Sequence, residues 1–241
     1  IEHRGRKQMT THLGGRKGKD AMVLRAAVAD GEQIDAGHGI YVRNVSKAGK
    51  RYYAVCTAVN GVVNATDISD ANTAGPVDVR PGEPEPVLCR EFVVDVGKDA
   101  KYHEQWYDYW TGLPKSRLPS RYEVLVWFCT QKMAKPASLH ISRHGWNSYP
   151  RAPGARAYSG IGMQHTADQP IEFRTGLNDA TGTLKGFASG TWRPFHENRQ
   201  DALIAWMRDK WPIDPDRMSV QMSAWGMLEA KRGDLYSYVR G

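Results

Sequence analysis

Apolar positions fall into short alternating runs in the first third of the chain and into longer, nearly unbroken runs beyond it. Gly39–Asn44 reads as a strand and Ser46–Lys50 as a turn. Arg51–Asn60 alternates Tyr, Val and Ala, then turns at Asn60-Gly61, a strong hairpin signal. Asn72–Val79 reads as an edge strand, because Pro76 lacks the N–H that an interior ladder needs. After a proline-rich break, Val87–Asp95 and Arg121–Cys129 are predicted strands, Ser138–Gly145 is a strand ending in a polar loop, and Gln169–Gly176 is a further strand. The aromatic run Tyr102–Trp110 reads as a loop or short strand packed into the interior. Stretches 147–165 and 178–190 read as loops, the second punctuated by Gly182, Gly186 and Gly190. Asn198–Lys210 is a predicted helix with Leu203, Ile204, Trp206 and Met207 on one face. Asp214-Pro215-Asp216 is turn chemistry, Arg217–Met222 a short strand, and Ser223 begins a helix-forming run.

That last succession carries the candidate chemistry. A serine on a tight strand-to-helix turn has its Oγ pushed clear of the sheet. The helix start places backbone N–H groups beside it, where they can stabilise an oxyanion. Continuous strands alternating with helices suggest a buried, mainly parallel sheet. The segment 81–86 holds three prolines in six residues and predicts a stiff spacer between domains.

Two resemblances extend this reading. Ile213–Met218, Gly226 and Asp234–Val239 lie within Trp206–Val239, a run that resembles the α/β-hydrolase esterases, in particular the secreted feruloyl-, acetylxylan- and polyester-esterase-like branch. The resemblance implies Ser223 as nucleophile and the N–H groups of Ala224 and Trp146 as the oxyanion hole. His144 and Gly145 would form the loop that presents Trp146. It departs from the pattern at Gln221 and Trp225, where the family has glycines that let strand and helix approach closely. Separately, Gly49–Val55 followed by Ala58–Gly61 resembles a fibronectin type III-like β-sandwich. Tyr52 and Tyr53 are then expected to pack in its core.

The expected organisation is therefore a partial β-sandwich over residues 1–80, a linker over 81–86, and a C-terminally truncated α/β-hydrolase domain with a mainly parallel sheet over 87–241. The expected function is a serine carboxylic-ester hydrolase acting on esters of carbohydrate or another extracellular polymer, in an extracellular or periplasmic location. No histidine follows Ser223, whereas the resemblance places the acid and histidine after the serine. The chain is accordingly expected to be part of a longer one and inactive by itself. Two rivals stay open: a non-catalytic binding or adhesion relative with a blocked turn, and a purely structural β-rich protein in which the serine turn is coincidence.

Composition narrows the partners. The net charge is +7, partly from Arg4–Lys19, yet no helix carries a basic stripe interleaved with aromatics, so nucleic acid is not an expected partner. No 18-residue apolar run predicts a membrane span. His140 and His144 stand four apart, but on a predicted strand-to-loop stretch and not on one helix face, and the other histidines and the three cysteines are scattered, so neither a metal nor a cofactor is expected. The cysteines are expected as buried thiols, with Cys56–Cys89 as the alternative pairing. The oligomeric state is not legible.

Overall fold

The structure, a computed structural model, describes residues 26–34, 42–43, 45–95, 100–117, 119–130, 133–142, 160–166, 177–180, 186–221 and 232–240. The chain divides into two compact units, residues 43–83 and the remainder. The division after Glu83 falls inside the proline-rich segment 81–86.

In the smaller unit, β3 (Gly49–Ala54) pairs antiparallel with β6 (Thr73–Val79), and β4 (Ala58–Val59) with β5 (Val62–Val63). Asn60 and Gly61 both have positive φ, 51° and 79°, the backbone that a two-residue hairpin turn requires. These are separate two-stranded ribbons, and no described residue of the unit is buried. The expectation of a β-sandwich is therefore corrected: the described residues supply neither two packed sheets nor a core between them. Tyr52, expected inside, is 73% exposed, and Tyr53 is half-buried. Local alternation and turn chemistry specify hairpins, but they do not specify that two sheets meet.

The larger unit begins with a small antiparallel pair, β1 (Ala27–Ala29) and β2 (Glu32–Gln33). Its main sheet has seven strands. They are β7 (Val87–Asp95), β8 (Lys101–Thr111), β9 (Ser120–Cys129), β10 (Ala137–Ser142), β11 (Ile161–His165), β14 (Ile213–Gln221) and β15 (Tyr238–Arg240). The remaining elements are the short pair β12 (Leu177–Asn178) and β13 (Trp192–Arg193), a 3-10 turn at Phe187–Ser189, and the helix α1 (Phe195–Lys210). Across the sheet the order is β7-β8-β9-β11-β10-β14-β15. The β7–β8, β8–β9 and β9–β11 pairs are antiparallel, and β11–β10, β10–β14 and β14–β15 are parallel.

This overturns the expected α/β-hydrolase with a mainly parallel sheet. The sheet is mixed, the described residues are mostly strand, and α1 is the one α-helix among them. Short links explain the antiparallel β7–β8 and β8–β9 pairs. Only residues 96–100 join β7 to β8 and 112–119 join β8 to β9, whereas a parallel neighbour needs a crossover of a dozen residues or more. An unbroken apolar run such as Tyr122–Cys129 reports burial on both faces, not strand direction.

Both faces of the sheet are covered near its centre. On one, Leu203, Ile204, Trp206 and Met207 of α1 pack against Tyr107, Val124, Val126, Leu139, Ile141, Met218 and Val220. On the other, Ala27 joins Cys89, Trp106, Leu125 and Trp127. The Ala27 N–H donates to Asp108 Oδ2 at 2.6 Å, and Trp110 Nε1–H donates to the Ala27 carbonyl at 2.7 Å, which fixes β1 against this face.

The last turn of α1 ends on Lys210. Its Nζ lies 4.7 Å from the Tyr107 ring centre, 5.4 Å from Trp206 and 5.5 Å from Trp211. A cation there meets both the aromatic faces and the negative end of the helix dipole. Lys210→Ala is expected to cost about 1 kcal/mol, read as a lower urea midpoint, while Lys210→Arg keeps most of it.

Candidate functional site

Three parallel strands of the larger unit finish at one edge of the sheet. Ser142, the last residue of β10, is opposite Gln221, the last of β14, which is in turn opposite Arg240, the last of β15. Open sheets with parallel strands place their ligands beyond the strands' carboxyl ends. The chain leaves β10 into 143 and β14 into 222 from directly paired positions, about 5 Å apart by ordinary strand spacing. The candidate residues His144, Gly145 and Trp146 follow the first exit, and Ser223 and Ala224 follow the second. All five lie outside the described residues, as do Trp225 and the predicted strand Gln169–Gly176. The structure thus shows the strands that lead to the candidate residues, while the residues themselves are not described.

The lead-in to β14 differs from a plain turn. Ala137 pairs with Ile213, but Leu139 already pairs with Met218, so residues 214–217 bulge out of the ladder. Asp214 organises the bulge: it accepts from the Asp216 N–H at 3.0 Å and from Arg217 Nε–H at 2.7 Å. Arg217 also donates to the Pro136 carbonyl. The regular β10–β14 ladder that resumes runs from Leu139 to Ser142.

Side chains on the sheet face opposite α1 are polar in this region. His140 Nδ1 is 3.0 Å from Ser219 Oγ, and Gln164 Nε2–H donates to Ser142 Oγ at 2.7 Å. Burial lowers the His140 pKa, so its ring is neutral at neutral pH. Sequence reading passed over this pair. The available signal was Ser138, His140 and Ser142, polar residues at every second position of an otherwise apolar strand.

On the α1 side, Arg199 is fully buried. Its guanidinium carbon sits 3.8 Å from the Tyr122 ring centre, and its Nη1–H donates to the Lys115 carbonyl at 2.8 Å. His196 is stacked on His165 with ring centres 4.5 Å apart. Tyr122 donates to Ser116 Oγ at 2.6 Å, and Gln200 donates to the Tyr236 hydroxyl. These interactions tie the first turns of α1 to β9, to the end of β11 and to the segment before β15. Nothing in them is arranged as nucleophile and base.

Two carboxylates share one guanidinium on the face covered by β1. Asp108 and Glu123 are directly paired across β8 and β9. Arg121 lies 2.7 Å from Asp108 Oδ1 and 3.2 Å from Glu123 Oε1. Burial is the largest influence and pushes Glu123 from 4.5 up to about 7, against the pull of Arg121 and with the help of Asp108. Burial raises Asp108 as well. Burial of both carboxyls outweighs the pull of Arg121, so the pair holds a proton near neutrality. A folded-state pKa above the unfolded value contributes stability that is fully present below about pH 4.5 and is lost as pH rises through about 7. Glu123→Gln should remove that dependence. Its melting temperature relative to the parent chain is expected to climb by several degrees between about pH 5 and pH 8; a constant difference across that range would contradict the assignment.

Burial and Asp108 push the Cys89 thiol up to about 12, and all three cysteines are unbridged. No group of three or more His, Cys, Asp or Glu among the described residues is placed to hold a metal ion. No helix among them is long and apolar enough to cross a membrane.

Compared with known proteins, the chain matches no family model. It matches no curated protein. Among solved structures it is similar to a glucuronoyl esterase from Solibacter usitatus, with a TM-score of 0.37, 12% identity, and coverage of 64% of this chain and 51% of that one. The chain thus spans about half the length of that esterase. At this score the likeness carries no argument about activity.

Proposed function

We propose that the protein is a serine carboxylic-ester hydrolase whose nucleophile is Ser223, acting on esters of carbohydrate or another extracellular polymer. The observation that supports the reading is the pairing of Ser142 with Gln221 at the ends of parallel neighbours β10 and β14. It brings the two exits, one leading to His144-Gly145-Trp146 and the other to Ser223-Ala224, to adjacent points on the sheet edge. In this reading Ser223 Oγ attacks the ester carbonyl carbon and forms a tetrahedral intermediate. The N–H groups of Ala224 and Trp146 donate to its oxyanion. A histidine takes the serine proton and returns it to the departing alcohol, and water then releases the acid by the same route. The esterase resemblance places that histidine and its acid partner after the serine, and neither role is given to a residue of this sequence.

The test is labelling with a fluorophosphonate, applied to the product of the full open reading frame. Labelling that depends on Ser223 is the expected result. A folded protein whose Ser223 does not react favours the non-catalytic binding reading, for which Gln221 and Trp225 are the sequence features.

A further inference from the structure

We infer that the His140–Ser219 bond is a positioning clamp that sets the offset between the two strands leading to the ester-hydrolysing residues; the inference rests on the function proposed above. The two residues are direct partners across β10 and β14, and their side chains meet at 3.0 Å. They stand two positions before the strand ends, on the sheet face away from α1. The backbone ladder alone is a weak ruler here. The bulge at 214–217 precedes it, and only the pairs from Leu139 to Ser142 follow. A slip of one residue would move one exit by about 3.3 Å along the other. It would also turn Met218 and Val220 out of the core they occupy with Leu203 and Met207. Core packing therefore forbids a full slip, and smaller offsets are left to the few directional contacts between the strands, the backbone bonds of this short ladder and any side-chain bond beside them. A hydrogen bond between paired side chains is directional, and it sits at the middle of the short ladder. The neutral imidazole makes this bond in either tautomer, since the serine hydroxyl can donate or accept. Oxyanion donors and nucleophile must hold their geometry closely, and a misplacement of about 1 Å costs on the order of 100-fold in rate.

The experiment compares kcat and KM for p-nitrophenyl acetate in the product of the full open reading frame, with His140→Ala, Ser219→Ala, the double variant, His140→Asn and Ser223→Ala. His140→Ala and Ser219→Ala are each expected to lower kcat by about 10- to 100-fold with KM nearly unchanged. The double variant should be no slower than the worse single one, because both remove the same bond. His140→Asn, whose amide can still reach the serine, should recover most of the rate. Melting temperatures identify any variant that has lost its fold, and for such a variant the conservative His140→Asn and Ser219→Thr carry the comparison. Unchanged kcat in the folded single variants, or multiplicative losses in the double, overturns the clamp while leaving a Ser223-dependent esterase standing. Hydrolysis that survives Ser223→Ala overturns the proposed function, and the clamp with it.

Discussion

Ser223→Ala is expected to lower kcat/KM for p-nitrophenyl acetate by at least about 1,000-fold in the product of the full open reading frame, and to abolish labelling by a fluorophosphonate. The size follows from the role. Removing the nucleophile leaves only oxyanion stabilisation and binding, so the residual rate is that of water attacking a bound ester. The comparison with Ser219→Ala adds resolution, because Ser219 lies in β14 only four positions before Ser223 in sequence. Ser219 is held by His140 within β14, and its loss should cost one to two orders of magnitude less than the loss of Ser223. If Ser219→Ala abolishes labelling and Ser223→Ala does not, the nucleophile has been assigned to the wrong serine. If neither variant changes turnover, the esterase reading fails. Melting temperatures of Ser223→Ala and the parent show whether a lost rate comes from lost chemistry or from a lost fold.

What the sequence revealed of this architecture depended on how local each signal was. The helix was legible because its buried set recurs at helical spacing. Leu203, Ile204, Trp206 and Met207 are all inside, and the helix extends back to Phe195. Val87–Asp95 and Arg121–Cys129 were legible as strands from apolar runs bounded by polar segments. The Asn60-Gly61 turn was legible because few residue pairs accept positive φ twice in succession. Strand direction was not legible: a strand buried on both faces has the same composition whichever way its neighbours run. Tyr102–Trp110 was ambiguous for a related reason, and it lies within the eleven-residue strand β8. The charged residues among its aromatics alternate because Asp108 faces Arg121 on one side while Tyr107 and Tyr109 enter the core on the other.

The candidate site divides the same way. That the Ser223 and His144–Trp146 segments each follow a strand could be read from the runs that precede them. That those two strands are neighbours and end level with one another could not, because pairing between residues some 80 positions apart leaves no periodic trace. The His140–Ser219 bond, the carboxylates sharing Arg121 and the buried Arg199 are likewise products of tertiary pairing.

The clearest misreading concerns β11, which lies in the stretch 147–165 that reads as a loop because it is rich in Gly, Pro, Ala and Tyr. In the structure Ile161–His165 is entirely buried, between β9 and β10. Gly162 is a glycine for a packing reason. A Cβ built there would run into Cε2, Cζ2 and Nε1 of Trp127, its direct partner on β9. The indole occupies the space beside the glycine and is itself fully buried. Gly162→Ala therefore asks either the ring or the strand to move, and both are held on all sides. The expected cost is about 3 kcal/mol, at the upper end for overpacking a core, or a fall in melting temperature on the order of 10 °C for a unit of this size. A second substitution separates crowding from any intrinsic effect of alanine on the strand. Trp127→Phe alone should be destabilising, since it leaves a void. Combined with Gly162→Ala it should be less harmful than the sum of the two, because the smaller ring makes room for the new methyl, giving a coupling of about 1–2 kcal/mol. Strictly additive costs would show that the indole does not occupy the space above Gly162. A neutral Gly162→Ala would show that β11 is not seated against β9 in this register.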